Sequence, residues 1–161
     1  MKYLYLSILA LILGACSTLE VSVGSVLPDT NQTKSVTLFA LDNYTDTPQA
    51  GKRASNLIEG VLHAKGYTVI KAIKVGEKTL AQQLVIAQKN GSDYMLNGGV
   101  SEWRYKTGID GEPAVSVQCK MIKVDSAKVV WSATASSNDW GNSSIGTTAQ
   151  EMLENIFELN Q

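Results

Sequence analysis

At 161 residues the chain has the length of one domain, long enough to bury a core without staples. The charged class is 18% and the apolar class 44%, which excludes a disordered chain. A net charge of −1 excludes a strongly basic nucleic-acid binder, so nucleic acid is not an expected partner.

Residues 1–15 read as a signal peptide. Lys2 is a minimal positive start, and Leu4 to Leu13 is an apolar run too short for a comfortable membrane span. Leu13-Gly14-Ala15-Cys16 closes it with small residues before a cysteine. This pattern resembles the bacterial lipoprotein signal, in which that cysteine is acylated, here Cys16. The competing reading is an ordinary secretory signal with an incidental cysteine. By resemblance to lipoprotein sorting signals, Ser17 in place of Asp points to the outer membrane of a Gram-negative cell. Lipidation would leave Cys119, the other cysteine, as a small buried apolar residue.

Residues 16–35 are expected to be a lipid-anchored tether, with a short strand around Val21 to Val26. The periplasmic domain then spans residues 36–161. Val36 to Leu41 is the first core strand. Thr47 and Pro48 suit the N-cap and first position of a helix. Ala54, Leu57, Ile58, Val61 and Leu62 form its apolar stripe, and Gly66 ends it. His63, the one histidine, falls on the solvated face. Tyr67 to Ile70 is a second strand, parallel to the first because a helix joins them. Thr79 and Gln82 fit a capping box, with Leu80, Ala81, Leu84 and Ala87 facing inward and Gly91 as the stop. Three strands follow: Tyr94 to Tyr105, Ala114 to Val124 and Val129 to Ser136. Asp110-Gly111 reads as a tight turn, and Pro113 as a strand start. The last helix runs from Ser144 to Leu159 on a stripe of Ile145, Ala149, Met152, Leu153, Ile156 and Phe157. The order β-α-β-α-β-β-β-α predicts an α+β fold with one mixed sheet and helices packed on it.

No nucleophile triad, phosphate loop or metal cluster is present, so no catalytic residue, cofactor or metal is expected and the chain does not read as an enzyme. Asp110 and Glu112 admit three readings: turn formers, a general acid–base pair, or carboxylates repeated around a ring. Trp140 sits in a polar loop beside Gly141, which suits either a membrane interface or local packing. Trp103, Arg104 and Tyr105 end a strand; Trp103 could stack with Arg104, or the three could line a subunit contact.

Three segments carry a resemblance. They are Asn43 to Gly51 with Arg53, Glu102 to Lys106 continuing through Asp110 to Val115, and Val130-Trp131-Ser132 with Trp140-Gly141 and the final helix. They resemble the anticodon-binding-domain-like lipoproteins, and within these the lipoproteins of Pel-type exopolysaccharide export. The resemblance implies a closed ring of identical copies, a dodecamer in that family, anchored at the inner leaflet of the outer membrane. It implies an electronegative funnel that passes a cationic exopolysaccharide to a separate outer-membrane β-barrel porin with periplasmic repeats. The resemblance maps the funnel position best onto Asp110, with Glu112 a weaker second; the membrane contact expected at Trp140 rests on its glycine-flanked polar loop. The alternative is a monomeric lipoprotein that binds and activates a periplasmic cell-envelope enzyme.

Overall fold

The computed structural model describes residues 18–28, 34–72, 79–107, 111–140 and 143–158. Cys16, the turn residue Asp110 and Gly141 lie outside them.

Ten elements are arranged on one sheet. In chain order they are β1 (Thr18–Val23), β2 (Ser35–Leu38), β3 (Asp42–Asn43), α1 (Ala50–Ala64), β4 (Thr68–Lys71), α2 (Leu80–Lys89), β5 (Tyr94–Tyr105), β6 (Pro113–Lys123), β7 (Val129–Asn138) and α3 (Ile145–Glu158). The strand order is β1-β7-β6-β5-β2-β4, with β3 beside β5. Strands β2, β3, β4 and β5 run parallel where they pair, and β5, β6, β7 and β1 are antiparallel, so the sheet is mixed as expected.

Helices α1 and α3 cover one face. Alternate residues of the strands point into that core: Leu96, Val100, Val117, Cys119, Met121, Trp131, Ala133 and Ala135. Ile58, Leu62, Met152, Leu153, Ile156 and Phe157 meet them from the helices. The indole of Trp131 stacks on Phe157 at 5.0 Å between centroids and 20° between planes. Among the described residues the other face is covered at one end. There α2 packs Ala87, with Leu84 and Ile86, on Phe39, Met95, Ile122 and Val124.

The helix ends follow their sequences closely. Gly66 at φ 87° and Gly91 at φ 67° close α1 and α2. In each, the two N–H groups at and after the glycine reach back into the last turn: Gly66 to His63 and Tyr67 to Leu62, then Gly91 to Gln88 and Ser92 to Ala87. Thr79 and Gln82 make the reciprocal capping box at the start of α2. Ser144 caps α3 through its Oγ, which accepts from the Thr147 N–H at 3.0 Å.

Three expectations differ from the structure. Helix α1 begins at Ala50 and its N-cap is Gln49 at φ 61°, not Thr47. The Thr47 hydroxyl instead donates to the Trp103 carbonyl, which ties the entry loop to β5. What fixes this start is Gly51: a Cβ there would lie 1.9 Å from the Leu41 carbonyl oxygen. Leu80 and Ala81 are exposed, because α2 meets the sheet through its C-terminal half. The Asp110 half of the expected Asp110-Gly111 turn lies outside the described residues; the loop between Tyr105 and Pro113 is closed by the Lys106 N–H on the Glu112 carbonyl at 2.6 Å. Finally, the short strand expected around Val21 to Val26 lies earlier, as β1, an edge strand registered on β7 from Thr18–Asn138 to Val23–Ala133, so the sheet begins within the stretch read as a tether.

Candidate functional site

One end of the sheet gathers most of the sequence-predicted residues. Strand β5 leaves the sheet there at Tyr105 and β6 returns at Pro113. Strand β7 ends beside them, since Ala114 pairs with Asn138. The Asp139 N–H donates to the Pro113 carbonyl at 3.2 Å, and the Ile145 N–H to the Tyr105 hydroxyl at 3.4 Å. The loop carrying Trp140 is thus tied to the loop that carries Glu112. Thr18 also lies at this end: its hydroxyl donates to Asn138 Oδ1 at 2.7 Å.

Trp140 is 50% exposed. Its loop is nonetheless braced. Asp139 accepts from the Trp140 N–H at 2.7 Å and from the Ser143 hydroxyl, and the Trp140 carbonyl accepts from the Ser143 N–H at 3.0 Å. The backbone of Trp140 is therefore fixed by Asp139 and Ser143, with its side chain half-exposed. Glu112 is half-buried, and its carboxylate lies 3.7 Å from the Lys106 ammonium, so its charge is shared. Gly111 holds φ 55°, the conformation its type was expected to supply.

Trp103 does not join the surface. It is 3% exposed within the single chain, buried beside Val100 and Val115. A shift in pairing between Val100 and Glu102 turns it inward. It therefore offers no area to a neighbouring subunit. Arg104 does not stack on it but pairs with Glu102 at 2.8 Å. Arg104 and Tyr105 remain exposed.

Cys119 is buried, and burial pushes its thiol up to about 12. At neutral pH it stays protonated and inert, a core residue as expected. His63 is exposed, with Nδ1 3.2 Å from the Tyr67 carbonyl. Among the described residues no group of three or more His, Cys, Asp or Glu could hold a metal ion. Among the same residues no helix is long and apolar enough to cross a membrane.

A mixed sheet with α1 and α3 on one face and α2 at one end of the other is a fold found in bacterial envelope lipoproteins. Lipoprotein GNA1162 from Neisseria meningitidis shares it, with 22% identity, a TM-score of 0.57, and coverage of 78% of this chain and 96% of that one. A nearer match is the PelC dodecamer from Paraburkholderia phytofirmans: 34% identity over 89% of this chain and 98% of that one, with a TM-score of 0.79. A point variant of that dodecamer in a second crystal form matches at 33% identity and a TM-score of 0.77. The chain belongs to the PelC family. No family model matches it, and no curated protein does.

Proposed function

We propose that this protein is a ring-forming component of exopolysaccharide export, anchored by a lipid on Cys16 to the periplasmic face of the outer membrane. The observation that carries this reading is the match to a PelC dodecamer over 98% of that chain. The copies close a ring whose electronegative lumen, lined at Asp110 and less strongly at Glu112, guides a cationic polysaccharide to a separate β-barrel. Catalysis has no part in it.

The geometry of the sheet end supports the membrane arrangement. Thr18 is two residues from Cys16 and is already paired with Asn138, two residues before Trp140. A lipid on Cys16 therefore enters the bilayer within about 7 Å of the sheet, since an extended residue spans at most about 3.6 Å. That leaves little slack, and it brings the Trp140 loop to the interface, where an indole is favoured. The loop of Asp110 opens at the same end.

Two measurements test this. The mass of the lipidated protein in detergent should correspond to a large closed oligomer, and loss of the protein should abolish secretion of the polysaccharide. A monomer would favour the activator of a periplasmic enzyme instead. Separately, Trp140→Ala in a chain beginning at Thr18, which carries no lipid, should weaken liposome association several-fold and leave thermal stability nearly unchanged. A loss on the order of the 3–5 kcal/mol typical of a buried Trp would place the indole in packing and refute its role at the membrane.

A further inference from the structure

Among the described residues, no element covers the face of the sheet opposite α1 and α3 beyond the reach of α2, and its outward residues are mostly polar. Ser101, Ser116 and Ser136 lie side by side on β5, β6 and β7. The Ser101 and Ser136 hydroxyls both donate to Ser116 Oγ, at 3.0 and 2.9 Å. Tyr44 lies across this face. Its ring packs on Gly99, where a Cβ would stand 2.4 Å from Tyr44 Cε2. Its N–H donates to the Val100 carbonyl at 2.9 Å and its hydroxyl to Asp42 Oδ2 at 3.3 Å. One side of the ring is thus seated on backbone, while the residue stays 66% exposed.

Two depressions flank the ring. The larger, about 430 Å³, is floored by the three serines and edged by Asp46 and Glu102. The smaller, about 200 Å³, is edged by Asp42, Asn97, Gln118 and Lys120. Glu102 is answered by Arg104. Asp42 and Asp46, one in each depression, form no ion pair with a described cation.

We propose that this groove binds a cationic amino-sugar chain, with one unit stacked on Tyr44 and one in each depression. The inference rests on the export reading above and adds a site to it. A fixed aromatic ring matches the apolar C–H face of a pyranose. Serine hydroxyls and side-chain amides both donate and accept, as sugar hydroxyls require. A carboxylate on each side of the ring, in no ion pair with a described cation, attracts an ammonium more strongly than it does the neutral N–H of an N-acetyl group. The shallow, open form of the groove suits a chain that must be held weakly and released.

The test uses the lipidated full chain in detergent, with Asp110→Asn to silence the turn carboxylate. The probes are a glucosamine hexamer and its fully N-acetylated counterpart, with binding followed by calorimetry at low salt. The amine form should bind more tightly. Tyr44→Ala should weaken it on the order of tenfold, and Tyr44→Phe should restore most of the affinity. Asp42→Asn with Asp46→Asn should lower the preference for the amine form. Ser136→Arg, which fills the larger depression from an exposed position, should abolish binding. Unchanged binding by Tyr44→Ala or Ser136→Arg would overturn the site. A drop in oligomer mass with Tyr44→Ala would overturn it too, because the groove would then be covered by a neighbouring copy. These outcomes are separate from the export reading, which fails if secretion survives loss of the protein or if the unaltered protein is a monomer.

Discussion

Trp131→Ala should destabilise the domain by about 3–5 kcal/mol, the range for removing a fully buried indole. Trp131 is 0% exposed and stacks on Phe157, so it joins β7 to α3. Removing it empties the contact that holds the last helix down. Domains of this size have about 5–15 kcal/mol in total, so the variant should be near the edge of folding at 37 °C. Trp131→Phe should behave differently. Among the described residues the indole Nε1 has no hydrogen-bond partner, so the native side chain already carries an unmet donor. Phenylalanine keeps a ring against Phe157 and removes that donor, and its cost should stay below about 1.5 kcal/mol. Urea unfolding of both variants, read as midpoints at constant slope, checks the pair. A loss under 1.5 kcal/mol for the alanine variant would mean that α3 is anchored elsewhere.

How much of this was legible in the sequence depends on how local the signal is. The stripe of α3, the capping box at Thr79 and the stops at Gly66 and Gly91 are each specified within a few residues, and they were read correctly. So was the three-strand meander from Tyr94 onward. Strand β1 was less visible. It is an edge strand with only Val21 and Val23 half-buried, so its Ser, Thr and Glu positions look like a tether. The start of α1 misleads for a different reason. Thr47 and Pro48 carry helix-start chemistry, but the close approach of Gly51 to the Leu41 carbonyl and the hydrogen bond from the Leu41 N–H to the Ser55 hydroxyl set where the helix can begin. Both are tertiary contacts. Trp103 could not be assigned because a pairing shift reverses its face, and alternation alone does not announce a bulge. The Tyr44 groove was missed altogether. Its parts come from β3 and the loop after it and from β5, β6 and β7, and no spacing in the sequence links them.

Asp110 carries the other large expected effect, on polysaccharide secretion. The loop from Lys106 to Glu112 holds one positive and two negative side chains, a net −1. Lys106 lies beside Glu112, so the charge that Asp110 adds is the one the loop does not already answer among its described groups. In one copy that field fades within about 8 Å at physiological salt. In a ring of twelve, as in the PelC dodecamer, twelve loops at −1 give a rim of −12, and Asp110→Lys turns it to +12. A cationic polymer attracted by the first rim is repelled by the second. Self-repulsion among twelve carboxylates opposes assembly, so Asp110→Asn should leave ring size intact or slightly stabilised, since the amide fits the same turn. Secretion should fall modestly with Asn and be nearly lost with Lys, at unchanged oligomer mass. Polymer secreted per cell, alongside the mass of each purified ring, decides between the mechanisms. Normal secretion through an intact Asp110→Lys ring would end the case for an electrostatic funnel at this residue, and a dissociated ring would make Asp110 a contact between copies.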